Sequence, residues 1–406
     1  MTSRIIRANE YTIDSVDNIL AFASHVGIKR SNLLNQDDVA MMEGLISESQ
    51  PILHMPNSVT DGDVTFPDGK RYQISIYGVT PDGVKTEVRL TDILPYYDIQ
   101  VPLDIDPHQY RQQEKINGRV ELLSLYPFNS FVTKPRQYWR VYFATLGARI
   151  NSMKIAQSRG LVTASNDTGY GPYYISVVAR DSKFKLGAWN TITDYKVEQN
   201  SVDGRVIVVD CKNYMESSEE DKSKYNTDLI VNDRTLHCAY DMETRSNKLD
   251  GSIPAAGDDF DLFMIASVYG WAYNKKPTYK ICITMCEASP IEGIDVLILC
   301  TTERQVVASH LSVWAAMKPD ILDSFNGGNF DLPLLMYKAT GRGGTSGDKG
   351  YNMRDVLPAM FSSNSHGSDG YDFEKKYFKS TDIKIDAENK HTLLATCSAP
   401  GVIDID

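Results

Sequence analysis

The chain has 406 residues, 42% of them hydrophobic and 23% charged, with a formal net charge of −11. That length allows two or three domains, and no apolar run approaches the ~20 residues that a membrane span needs. The acidic balance argues against a surface that grips duplex DNA everywhere, because neutralising phosphates needs clustered Lys and Arg; a local groove remains compatible with it. Six cysteines are scattered without paired metal-ligand spacing, so buried thiols in a reducing compartment are expected.

Near the start, Val16, Ile19, Leu20, Phe22, Ala23 and Val26 fall on a helical stripe, which predicts a packing helix. Residues 51–102 turn to strand patterns. Runs at 72–77 and 85–90, separated by Thr80-Pro-Asp-Gly83, predict a hairpin, with a third strand over 93–101. A strand, helix, strand unit is expected over about 138–180, with the helix near 149–159. The run 215–225 carries Glu216, Glu219, Glu220 and Asp221 and predicts an exposed linker. A boundary at 225 then divides the chain into domains 1–225 and 226–406.

The second half opens with Leu236-His-Cys-Ala-Tyr-Asp-Met-Glu-Thr244. Strand alternation puts Asp241 and Glu243 on one face with Cα atoms about 6–7 Å apart. Such a pair suits two divalent cations about 3.5–4 Å apart, which can activate a water and stabilise the leaving oxygen of a phosphodiester. Solvated strands also alternate acids, so the chemistry calls for a third carboxylate. Asp331 supplies the candidate, in Ser324-Phe-Asn-Gly-Gly-Asn-Phe-Asp-Leu-Pro-Leu-Leu335, where a strand, a glycine turn and a helix start follow one another. Between the two segments, strands are predicted over 261–268, 279–284 and 295–300. A helix capped by Thr302 and Gln305 follows, with Val306, Val307, His310, Leu311 and Trp314 inward. Pro319 stops it before a strand at 321–325. His310 is expected to be a satisfied core residue, and His237 shares the Asp241 face. The loop 341–350 lacks the Gly-Lys-Ser/Thr ending of a phosphate loop.

Together the two acidic segments resemble the first and second exonuclease motifs of family B DNA polymerases, Asp-Ile-Glu and Tyr-Asn-x-x-x-Phe-Asp-x-Pro-Tyr-Leu. Asp241, Glu243, Asn326, Phe330, Asp331, Pro333 and Leu335 match, whereas Met242, Phe325 and Leu334 depart. The segment 175–190 is similar to the one preceding the family's exonuclease domain, and 375–406 to the stretch between its second and third motifs. Within the family the likeness is to enzymes of large cytoplasmic DNA viruses of the African swine fever virus type. Glu121-Leu-Leu-Ser-Leu-Tyr-Pro127 imitates the polymerisation motif but has Glu for Asp and precedes the exonuclease motifs, so it is set aside.

The resemblance implies an α/β (α+β) chain: an N-terminal mixed α/β domain, then an RNase H-like 3′→5′ exonuclease domain truncated at its C-terminal end. It implies that Asp241, Glu243 and Asp331 hold two Mg²⁺ ions, for which Mn²⁺ can substitute, and that Asn326 and Phe330 contact the frayed 3′ end; the 406-residue chain by itself is expected to be an inactive or feeble nuclease. Implied partners are the primer 3′ end, single-stranded template and the polymerase domains, as downstream sequence or a second chain. The host cytoplasm or a viral factory is the implied location, with the nucleus as alternative. Rival readings are a free-standing RNase H-like exonuclease, which needs a fourth acid from Asp382, Asp386, Asp404 or Asp406, and a non-catalytic nucleic-acid-binding subunit of a split polymerase.

Overall fold

Alternation along Leu236–Ser246 sets the architecture around it. Leu236, Cys238, Tyr240 and Met242 are buried, while Ala239, Asp241 and Glu243 between them are exposed, so one face of the strand carries core and the other faces water. The computed structural model describes residues 3–127, 134–164, 171–201, 204–246, 254, 258–272, 279–325, 327–328, 330–341, 350–361, 378–384, 391–397 and 402–405.

This strand lies inside a seven-stranded sheet. Phe260–Trp271 and then Tyr279–Thr284 continue it antiparallel on one side, and Val296–Leu299 and Arg4–Arg7 extend that side in parallel. On the other side Ile321–Asp323 and Ile403–Ile405 run parallel to it. Three antiparallel strands, with two more parallel to the first on its free edge, form the RNase H-like sheet expected of this half.

The helix Glu303–Met317 covers the core face. Thr302 Oγ1 accepts the Gln305 amide, the cap that the sequence predicts, while Gln305 Oε1 reaches one residue further back than a capping box does, to the Thr301 amide. Its end is a left-handed Lys318, after which Pro319 cannot prolong the helix. The predicted N-terminal helix, Val16–His25, packs against it, and Ser312 Oγ accepts the Ala23 amide at 2.9 Å. The opening strand and helix thus enter the core built mainly by residues 236–402, although a different sheet follows them in sequence.

That sheet also has seven strands. The predicted hairpin is Gly69–Val79 with Lys85–Thr91, antiparallel in register Ile76↔Val88. Ile52–Phe66 flanks it on one side and Gly204–Asp210 on the other. The expected third strand forms as Tyr96–Gln100 but leaves for a separate three-stranded sheet with Arg136–Tyr142 and Val120–Leu125, backed by the helix Leu146–Ser158. The predicted return strand is reduced to a single bridge, Ile99↔Thr163, and the helix Gly171–Ser182 follows. The expected exposed linker is ordered instead. Tyr214–Glu216 pairs with Asn190–Ile192, and Ser218 caps a short helix, Glu219–Ser223, whose acids occupy its favourable N-terminal turn.

The turn Thr80–Gly83 pins this sheet to the first. Gly83 N donates to Thr80 O, and Gly83 adopts φ +85°, where a Cβ would also press on Arg234. Its carbonyl accepts Arg30 Nε and Nη2, and Arg30 reaches on to the fully buried Asp320 at 2.7 Å.

His310 lies in the core as predicted, yet neither ring nitrogen meets a hydrogen-bond partner among the described residues. Burial pushes its pKa down from 6.5 to about 3. The unfolded chain therefore takes up a proton below pH 6.5 that the folded chain refuses, and stability falls as the pH drops through that window. At pH 5 the loss amounts to about 2 kcal/mol, at ~1.4 kcal/mol per unit. Urea melts of wild type and His310→Leu at pH 7 and pH 5 test this: the acid loss should shrink by about that amount in the variant, and an unchanged acid limb contradicts it.

Candidate active site

Three elements meet at the exposed end of the central strand. Asp241 and Glu243 project from its open face, and the neighbouring strand Ile321–Asp323 has already ended by this level, pairing only with residues 237–239. The strand edge beside Met242 is therefore unpaired by sheet. Asp331 fills the gap: its Oδ1 accepts the Met242 amide at 3.1 Å, and its side chain is 1% exposed. A carboxylate that accepts a buried amide satisfies a donor that would otherwise be stranded, and Asp331 is also the first residue of the helix Asp331–Thr340.

The turn before that helix depends on glycine. A Cβ at Gly327 would collide with the Ser324 side chain, and Gly327 O accepts the Leu332 amide at 2.9 Å. Phe330 precedes the helix, half-buried against the core, while Phe325 stands 96% exposed nearby. Asn326, expected at the 3′ end, lies outside the described residues, as do Asp386 and Asp406.

Sequence reasoning missed the side chains that hold the Asp331 helix in place. Lys338 Nζ pairs with Glu303 Oε1 at 2.8 Å and donates to Phe260 O, Glu303 Oε1 accepts the Leu262 amide at 2.6 Å, and Tyr351 OH donates to Glu303 Oε2. Leu262 pairs with Thr244 at the register shift immediately after Glu243, so this network joins the helix, the sheet and the acidic strand. Only the i, i+7 spacing of Asp331 and Lys338 on one helix hints at it in the sequence. Lys338→Met should lower stability by about 1.5–3 kcal/mol, the usual cost of losing hydrogen bonds to a charged group; a urea midpoint unchanged from wild type would refute the assignment. His237, given little weight from sequence, pairs with Asp323 through Nδ1 at 2.9 Å on the same face as Asp241.

The donor chemistry fits a hard cation, since Asp241 and Glu243 offer acceptor-only oxygens on one open face. Among the described residues no three His, Cys, Asp or Glu side chains are grouped closely enough to hold a metal ion. Asp331, turned onto the Met242 amide, lies beside the acidic pair without making such a triad. Mg²⁺ commonly takes one or two protein carboxylates and completes its shell with water and substrate phosphate, which a two-carboxylate floor fits.

The sequence model described as DNA polymerase family B, exonuclease domain, matches residues 170–389, more than half of the chain. The chain is 26% identical over 376 residues to DNA polymerase beta of African swine fever virus, isolate Pig/Kenya/KEN-50/1950, covering 89% of this chain and 28% of that protein. It is 22% identical over 327 residues to the DNA polymerase delta catalytic subunit of Oryza sativa subsp. japonica, covering 73% and 27%. Among solved structures, the family B DNA polymerase of Pyrobaculum calidifontis matches with a TM-score of 0.45 and 16% identity, over 72% of this chain and 33% of that one. The chain thus spans little more than a quarter of the curated relatives' length. With the acidic strand and the helix that bears Asp331 both inside the matched exonuclease segment, the chain belongs to the family B DNA polymerases.

Proposed function

We propose that this chain carries the 3′→5′ proofreading nuclease of a replicative DNA-directed DNA polymerase, acting with Mg²⁺ on the frayed, single-stranded 3′ end of a primer. The observation that carries the reading is the Asp331 carboxylate on the Met242 amide, because it brings the second acidic segment onto the backbone between Asp241 and Glu243. Asp241 and Glu243 hold the hydrated cations. Asp331 locks the peptide that joins them and so fixes their separation, while Asn326 and Phe330 contact the terminal nucleotide. Bound there, two cations would supply charge stabilisation at the leaving 3′-oxygen and a water of lowered pKa.

In the complete enzyme the remaining polymerase domains and the template strand are the partners. We place the protein in the cytoplasm, either the host's or a viral factory. Cys211, Cys238, Cys282, Cys286 and Cys300 are free, as a reducing compartment keeps them.

The test is a 3′-shortening ladder on a 5′-labelled single-stranded oligonucleotide with Mg²⁺ or Mn²⁺, using wild type and the Asp241→Asn and Glu243→Gln variants. Loss of the ladder in both variants and without metal is expected. Equal shortening by all three proteins would overturn the reading.

A further inference from the structure

A groove of about 740 Å³ continues the open face of the large sheet away from the acids, toward the start of the central strand. Its floor includes His237, Ala239, Val268 and Ile321, and Asn57 from the N-terminal sheet stands on its wall. His237 and Ala239 share their face with Asp241 by alternation, and four residues of strand put His237 about 13 Å from Asp241. Small residues keep the trench open: Ala239 lies between the two, and Gly270 pairs opposite His237.

The chemistry of the lining restricts the guest. No Lys or Arg lines the groove, and Asp233 contributes a carboxylate to it, so it does not suit a phosphate. One polar atom has capacity to spare; Asn57 Oδ1 is closed off from solvent and is not offered to a guest. His237 is held through Nδ1 by Asp323 at 2.9 Å, which fixes the ring and leaves Nε2 for a guest. A mostly apolar cleft with a few oriented polar atoms is the usual make-up of a small-ligand site, and its volume lies within the ~300–1,000 Å³ of such sites. A nucleobase has this complement: flat apolar faces, a polar edge and no charge.

We propose that the groove seats a nucleobase of the same strand whose 3′ end reaches Asp241 and Glu243, with His237 Nε2 on the base's polar edge. His237 is then a positioning residue that sets how the strand lies over the acids. The assignment rests on the nuclease reading for the identity of the strand, and on the groove alone for recognition of a base.

The test is equilibrium binding of the full chain, measured by fluorescence anisotropy in EDTA, to single-stranded (dT)8 and to the same oligonucleotide with abasic residues. Wild type should bind (dT)8 about tenfold more tightly than the abasic strand. His237→Ala and Ala239→Phe should each erase that difference, and His237→Gln should retain part of it. Unchanged thermal melts exclude misfolding, and Ala239→Phe blocks the groove without removing the His237–Asp323 pair. If the base-dependent difference survives in both His237→Ala and Ala239→Phe, the groove is not a base site. If free dTMP binds as tightly as (dT)8, the groove takes a free nucleotide and the strand assignment fails. The nuclease reading fails separately, when Asp241→Asn and Glu243→Gln leave the 3′-shortening ladder intact.

Discussion

Asp241→Asn and Glu243→Gln should each lower Mg²⁺-dependent removal of 3′ nucleotides by about 10²- to 10³-fold, the range in which loss of one preorganised charge stabiliser falls. Both side chains are exposed, so neither supports the core, and the loss should come in kcat. Like charges on one strand face repel when no cation lies between them. Without metal at neutral pH, either variant should therefore be as stable as wild type or slightly more so, while titration calorimetry shows weaker Mn²⁺ binding. Asp331→Ala should behave differently, because Asp331 is buried and satisfies the Met242 amide: activity and stability should fall together. Single-turnover rates paired with urea melts separate the two patterns. Identical Mn²⁺ isotherms for wild type and Asp241→Asn would remove the acids from the metal site.

Asp320→Ala should destabilise the protein by about 3–5 kcal/mol, the cost of stranding the partners of a buried ion pair. Asp320 Oδ2 accepts both Arg30 Nη2 at 2.7 Å and the Leu236 amide at 2.8 Å, and Lys85 Nζ lies 3.6 Å from Oδ1. Arg30 and Lys85 are themselves buried, so water cannot replace the lost carboxylate. Because Leu236 begins the strand that bears Asp241, its amide should exchange faster in the variant, and part of the loss should be recovered by adding Lys85→Met. Burial already pulls Lys85 down from 10.5 to about 8, with Asp320 opposing and Arg30 assisting. Between pH 8 and 10.5 the unfolded chain holds the extra proton, so this lysine makes stability rise with pH across that window. Lys85→Met should flatten that rise. A loss below about 1 kcal/mol in Asp320→Ala would mean that the junction tolerates two unpaired cations, contrary to the cost of buried charge.

Period and punctuation in the sequence determined much of this protein. The two-residue alternation of Leu236–Glu243 already put Asp241 and Glu243 on one face and Met242 on the other, because side-chain direction in a strand is local geometry; which face is core came from the structure. Thr302, Gln305 and Pro319 marked both ends of a helix for equally local reasons, and the order of the two acidic segments was enough to point to the family. The tertiary structure decided what depends on residues far apart in the chain. It sent the strand Tyr96–Gln100 out of the hairpin's sheet into a separate one, and it carried Arg4–Arg7 across nearly three hundred positions to Val296–Leu299. It also put Asp331 Oδ1 on the Met242 amide, where it makes no metal-holding group with the other two acids among the described residues. The carboxylate was legible from the sequence; its direction was not. That direction follows from the early end of the strand Ile321–Asp323, which leaves the Met242 amide in need of an acceptor, and a buried amide left unpaired costs about 1–3 kcal/mol.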